Sequence, residues 1–156
     1  MAVVDLTDLP GALAKAAPIL GLDLGSKTIG VAVSDTGRMI ASPLALIRRA
    51  KFTADAEALF ALMDGRGATA IVLGLPVNMD GTEGPRCQST RAFARNLLRL
   101  KDIPIAFWDE RLSTEAVNRM LIDEADTTRA RRAELVDKAA AAWILQGALD
   151  RLRMLR

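Results

Sequence analysis

The change of hydrophobic period near residue 50 constrains the fold of this chain more than any other feature. Before it, three short runs rich in strand formers, Ile19–Leu24, Ile29–Ser34 and Met39–Ser42, are separated only by Gly25-Ser26-Lys27-Thr28 and Asp35-Thr36-Gly37. Strands joined this tightly pair antiparallel, because a parallel crossover needs a dozen or more residues. After it, Ala54–Met63 carries helical spacing and stops at Gly65 and Gly67. Ala70–Leu75 (AIVLGL) is a continuous apolar run, as expected of a strand covered on both faces. A loop over 76–85, a helix from about Gln88 to Leu100 and a strand at Ile105–Trp108 follow. Ser113 is placed to cap a helix running through Asp123, with Glu115 in its first turn, and a last helix spans roughly Ala133–Arg153. The expected class is α/β: a five-stranded mixed sheet in which an antiparallel meander leads into parallel strands, flanked by helices. The Ile19 strand should be central, between its hairpin partner and Ala70–Leu75.

At 156 residues and 51% apolar, the chain suits one domain with a core of its own. Pro10, Gly11 and Pro18 punctuate the opening, so 1–18 is expected to be an N-terminal tail and 19–156 a single domain. Asp5, Asp8 and Lys15 interrupt any signal-like run there, and no later stretch is long enough to span a bilayer. Cys87 is the sole cysteine, which excludes internal disulfides and Cys-rich zinc sites and fits a cytoplasmic location. The chain has no histidine. That removes Ser-His-Asp and Cys-His nucleophiles, His-ligated zinc and the usual general base near neutral pH. Chemistry must therefore run on carboxylates, Lys, Ser/Thr, backbone amides or a bound metal.

Three segments supply candidate carboxylates. Asp23 lies in Gly21-Leu22-Asp23-Leu24-Gly25, where strand alternation puts it on one face with the two glycines and leaves room above it for a cation or phosphate. The competing role is a strand-end cap of the following turn. Asp109-Glu110-Arg111 sits just past a strand terminus, where α/β sheets place ligands. Alternation sends Asp109 and Glu110 to opposite faces, so only one of them readily joins Asp23, and a solvated loop is the plainer alternative. On the last helix, at about 100° per residue, Ala133, Ala140, Ala141, Ile144 and Ala148 fall within about 60° of Asp137. Asp137 is thus centred on an apolar, mostly alanine stripe that should press it towards the sheet, unless it is a rim residue paired with a neighbouring base. An oxygen-only acid set points to Mg²⁺ or Mn²⁺ rather than Zn²⁺, and to phosphoryl transfer.

The net charge is only +2, so the placement of the bases matters more than their number. Arg91, Arg95 and Arg99 recur every fourth residue along one helix face, Arg86 precedes them, and no acid lies between Arg86 and Lys101. Stacked like charges mildly destabilise a helix. Arg129, Arg131 and Arg132 stand just before the Asp137 helix, and Arg48, Arg49 and Lys51 form a third cluster. A solvated face would explain any one of these clusters. Together with Lys27 and Arg111, three of them beside a candidate phosphotransfer site favour a phosphate backbone as partner, without a base-stacking platform, since the chain has no tyrosine and four phenylalanines.

The segments Ile19–Ser34 (ILGLDLGSKTIGVAVS), Gly74–Pro85 (GLPVNMDGTEGP), Trp108–Thr114 (WDERLST) and Val136–Gln146 (VDKAAAAWILQ) resemble the YqgF family. Its bacterial members are described as Holliday junction resolvases or as pre-16S rRNA nucleases. The likeness runs from Ile19 to Asp150 with the four motifs in order, and it implies an RNase H-like fold with Mg²⁺ or Mn²⁺ held by Asp23, Glu110 and Asp137. It selects Glu110 over Asp109. In the broader group that resembles the RuvC resolvases, a glutamate often comes from the end of the fourth strand. Here that strand ends in Gly74-Leu75-Pro76, so Glu110 has to serve from the next one. The implied activity is endonucleolytic hydrolysis of phosphodiesters, at the 5′ end of pre-16S rRNA in ribosome biogenesis. Alternatives are cleavage of branched DNA in recombination, or a nucleic-acid-binding module with weak catalysis. The partner is then structured RNA or branched DNA, with no membrane, and the protein is a monomer or homodimer. Sugar kinases and actin-like ATPases share a DxG opening, but they need two such domains and an adenosine site, for which about 135 structured residues are too few.

Overall fold

A computed structural model of the chain describes residues 17–110 and 129–154 together with Val3, Leu6 and Leu9, and for 129 to 138 it describes the backbone alone. Five strands, β1 (Ile19–Leu24), β2 (Thr28–Ser34), β3 (Ala41–Arg48), β4 (Ala70–Leu75) and β5 (Ile105–Asp109), form one sheet in the order β3-β2-β1-β4-β5. β1 pairs antiparallel with β2 and parallel with β4, so the expected central strand is central and the sheet is mixed. Among the described residues three helices accompany it: α1 (Phe52–Arg66), α2 (Pro85–Leu100) and α3 (Arg129–Met154). No described helix is long and apolar enough to cross a membrane.

The elements match the expected ones in kind and differ at their ends. β1 and β4 have the expected bounds. β3 runs on to Arg48 as the outer strand, where Pro43 is tolerated beside a register shift because no further strand needs its missing N–H. α1 begins at Phe52, and the buried Asp55 carboxylate reaches back to accept the Ala50 N–H at 2.9 Å, closing the turn from β3. α2 starts at Pro85, whose lost N–H costs nothing in a first turn. α3 starts at Arg129, so Arg129, Arg131 and Arg132 are part of the helix rather than preceding it. The helix expected from Ser113 to Asp123 lies outside the described residues. Val3, in the segment expected to be a tail, bridges Ile105, and the i, i+3 pair Leu6 and Leu9 is buried against the α3 side of the core.

The two faces of the sheet differ in the size of what they present. One offers Leu20, Leu22, Val31, Ile71, Leu73 and Ile105 to α1 and α2, which answer with Leu59, Met63, Phe93 and Leu97. The other offers Ile19, Gly21, Ala32, Ala70, Val72, Gly74 and Ala106 to α3. Small residues on both partners bring α3 close. A Cβ added at Gly21 would stand 2.6 Å from Leu145 Cβ and 3.1 Å from the Ala141 carbonyl oxygen, far inside ordinary contact. This close approach sets the distance between the last helix and the end of β1.

Candidate active site

Alternation along β1 puts Asp23 on the α3 face with Gly21. On β4, Gly74 shares that face, because a Cβ there would meet Ile144 Cδ1 at 2.5 Å. Gly74 is in register with Trp108 on β5, whose indole lies against Gly147 of α3. Glu110, two residues after Trp108, returns to the same face, while Asp109 ends the strand on the other. The choice between the two acids, which alternation alone left open, is thereby made by the sheet: Glu110 turns inward.

β4 separates β1 from β5, and only the missing side chain at Gly74 lets Glu110 cross that gap. A Cβ on Gly74 would lie 2.6 Å from Glu110 Oε1 and 3.0 Å from its Cγ. The Glu110 chain occupies the space above the glycine and hydrogen-bonds the Asp23 carboxylate. Its carboxyl is raised from the ordinary 4.5 to about 8, first by burial, then by the negative charge of Asp23 and the shared hydrogen bond, with Arg86 opposing and Asp109 adding a little. Protonated, Glu110 donates to Asp23. Deprotonated, the two carboxylates crowd a half-buried space with more negative charge than Arg86 offsets. A divalent cation fits that surplus, and the donors are hard oxygens. Cys87 offers no thiolate nearby, since burial raises its pKa as well.

The third expected ligand approaches from α3. Ala141 stands over Gly21, and Gln146 accepts the Ala41 N–H at 2.8 Å, at the start of β3, which pairs with the end of β2 beside Ile19. Passing from 146 to 141 therefore travels from the Ile19 end of β1 towards its Asp23 end, and one further turn of backbone reaches Asp137. The Asp137 side chain lies outside the described residues. Among the described residues no three acids, cysteines or histidines form a metal-sized cluster, and Asp23 with Glu110 is a pair.

The basic residues divide into different situations. Lys27 is exposed in the β1–β2 turn. Arg86, in the first turn of α2, donates to the Leu24 carbonyl at 3.3 Å and faces the acidic pair. Arg91 is not an open cation: its fork donates to both Glu83 oxygens, at 2.7 and 2.9 Å, and lies over the Phe107 ring at 5.0 Å. No acid follows Arg86 within the helix, yet the loop before it folds Glu83 back onto Arg91, a contact that linear spacing did not reveal. Arg95 and Arg99 are exposed, and Arg99 donates to the Asn96 side-chain oxygen at 3.4 Å. The Arg111 position and the side chains of Arg129, Arg131 and Arg132 lie outside the described residues. The position that sequence reasoning undervalued is Gly74. Its signal was a glycine inside an otherwise bulky six-residue strand, which marks a close approach.

A family model described as RuvX, Holliday junction resolvase, matches residues 17–151. The chain is 74% identical over 156 residues to a Phenylobacterium zucineum protein named "Putative pre-16S rRNA nuclease", across 99% of this chain and 100% of the relative. A protein of the same name from Rhodospirillum rubrum is 64% identical over 152 residues, across 97% of this chain and 94% of the relative. Among solved structures, "T. thermophilus RuvC in complex with Holliday junction substrate" superposes with a TM-score of 0.54 at 12% identity, over 87% of this chain and 96% of that one, a likeness of fold.

Proposed function

Because this chain belongs to the RuvX family of Holliday junction resolvases, the group it resembles as YqgF, we propose that it is a metal-dependent endonuclease that hydrolyses phosphodiester bonds. The observation that carries the reading is the Asp23–Glu110 pair, two carboxylates brought into hydrogen-bond contact across a glycine at the end of a rigid sheet. Such a pair is costly to build for stability alone, since each charge raises the other's proton affinity. Asp137 is the third member of the set in this reading, supported by the α3 backbone running towards the same end of the sheet.

Asp23, Glu110 and Asp137 would hold Mg²⁺ or Mn²⁺, which when bound supplies charge neutralisation at the phosphate and a more acidic water. The protein's own part is positional. β1 fixes Asp23, Gly74 admits Glu110, and the tight α3 contact at Gly21 sets how near the helix stands. Arg86 limits the repulsion between the acids and presents a cation to the substrate. The exposed Arg95 and Arg99, with Lys27 beside the site, track the phosphate backbone, which positions the polymer without reading its sequence.

The substrate we propose is the 5′ region of precursor 16S rRNA, in keeping with the names of the two relatives described above. The family description favours a second reading, cleavage of four-way DNA junctions. Both are tested together: the protein, loaded with Mn²⁺, is given a precursor rRNA fragment and a four-way junction, beside Asp23→Asn and Glu110→Gln. Cleavage of the RNA that vanishes in both variants supports the first reading, and cleavage confined to the junction supports the second. Folded protein that cuts neither, or Glu110→Gln protein that still cuts, would overturn the assignment.

A further inference from the structure

Beside the acidic pair, between the β1–β2 turn and the first turns of α2, lies a hollow of about 230 Å³ lined by Gly25, Ser26, Arg49, Arg86 and Ser89 among others. We infer that this hollow is a subsite for a single backbone phosphate, clasped by Arg49 and Arg86 next to the bond that is cut.

The two guanidiniums come from distant parts of the chain and are steered by successive carbonyls. Arg49 Nη1 donates to Gly25 at 2.8 Å and Arg86 Nη2 to Leu24 at 3.3 Å. Arg49 is held further by its backbone N–H on the Lys27 carbonyl at 2.8 Å and by the Phe93 ring, 6.0 Å below its guanidinium. Each anchor uses one donor of five, so both forks keep N–H groups to offer. Among the described residues no carboxylate lines the hollow and neither arginine is ion-paired. Two cations converge on one concavity, and an anion seated there would pair with both forks. The Ser26 and Ser89 hydroxyls add neutral donors suited to phosphate oxygens. Among the described residues no aromatic side chain lines the hollow, which suits a phosphate better than a stacked base. Leu24 follows Asp23 directly and Arg86 faces Glu110, so a phosphate held here neighbours the acidic site.

The identity of the polymer rests on the nuclease reading; the phosphate chemistry does not. DNA and RNA present the same group, and the experiment separates them. Binding is measured without divalent ions, so that nothing is cut, on junction DNA and on precursor RNA carrying a neutral methylphosphonate at one linkage after another. In the intact protein one linkage should stand out, its neutralisation weakening binding by about tenfold. In Arg49→Gln that linkage should lose its effect, overall affinity should fall by a similar factor, and the slope of log K against log salt should shrink by about one. Arg49→Lys, which keeps the charge and loses the fork, should fall between, and it stands in if the glutamine variant does not fold. The polymer that shows the coupling is the one the hollow serves. If Arg49→Gln weakens every linkage alike, or changes nothing on either polymer, the subsite is refuted. Cleavage of the unmodified oligonucleotides with Mn²⁺ is scored separately, so a missing nuclease activity and a missing subsite give different results.

Discussion

Replacing Gly74 by alanine adds one methyl group at the point where Glu110 crosses to Asp23. That carbon would sit 2.5 Å from Ile144 Cδ1, 2.6 Å from Glu110 Oε1 and 3.0 Å from Glu110 Cγ, against a comfortable 3.5–4.0 Å between carbons. Both obstacles are ends of flexible side chains, so the fold should survive with an overpacking loss of about 1–3 kcal/mol. The carboxylate has to retreat by on the order of 1 Å, and a displacement of that size costs roughly 100-fold in a positioned reaction. Urea unfolding reports the first effect. A calorimetric Mn²⁺ titration and a single-turnover cleavage assay report the second, with metal affinity expected to drop about 10- to 100-fold. Ile144→Val in the same background removes the other obstacle, so it should recover part of the stability and none of the metal affinity. If Gly74→Ala binds Mn²⁺ and cleaves like the parent, Glu110 does not depend on the gap above β4. If Ile144→Val restores metal binding together with stability, the loss was general and the geometric argument fails.

In chelator, the raised Glu110 pKa makes the folded protein bind a proton that the unfolded chain has released. The Glu110 contribution to stability should therefore be full below about pH 4.5 and be lost as pH rises towards about 8, at under about 1.4 kcal/mol per pH unit, and Glu110→Gln should remove that component of the slope in pH-dependent urea unfolding. A flat parent profile would contradict the buried pair. Arg95→Ala and Arg99→Ala should each reduce the salt slope of nucleic-acid binding by about one, whereas Arg91→Ala should leave the slope nearly unchanged and speed hydrogen exchange over the 76–84 loop held by Glu83. Equal slopes for all three variants would restore the uniform arginine row. Gly21→Ala meets Leu145 Cβ and a helix carbonyl rather than flexible ends, so it should cost more than Gly74→Ala, about 3 kcal/mol or above, read as the shift in urea midpoint.

How far the sequence could be read depends on how local each cause is. β4 could be bounded to the residue because six apolar residues between polar or proline neighbours leave no choice. The ends of α1, α2 and α3 could not, since they depend on a back-reaching Asp55, a proline tolerated in a first turn, and arginines that pattern alone does not assign to helix or loop. Asp23 was legible as a carboxylate flanked by glycines on a strand. Glu110 was legible only as one of two acids, because choosing between them needs the register of β5 against β4. The Glu83–Arg91 fork and the Arg49–Arg86 hollow were not legible at all. Each joins residues whose meeting is decided by how a loop or a strand end folds back, and no periodicity records that.

The small-residue face of the sheet also bears on the order in which the chain can fold. The β1–β2 hairpin is local and β4 joins after one crossover, but the cover of β1, the α3 segment around Ala141 and Leu145, is almost a chain length away. During synthesis the sheet must wait with that face lacking its helix and with only N-terminal residues such as Leu6 and Leu9 made in time to cover part of it. A waiting face of leucine and isoleucine would be an adhesive surface; one largely of glycine and alanine exposes little to adhere. The same atoms that admit the helix closely would keep the unfinished sheet from aggregating, while α1 and α2 cover the greasier side early. A chain truncated before Arg129 should then stay dispersed and partly structured rather than precipitate, and enlarging Ala32, Ala70 or Ala106 should make that truncated form aggregate.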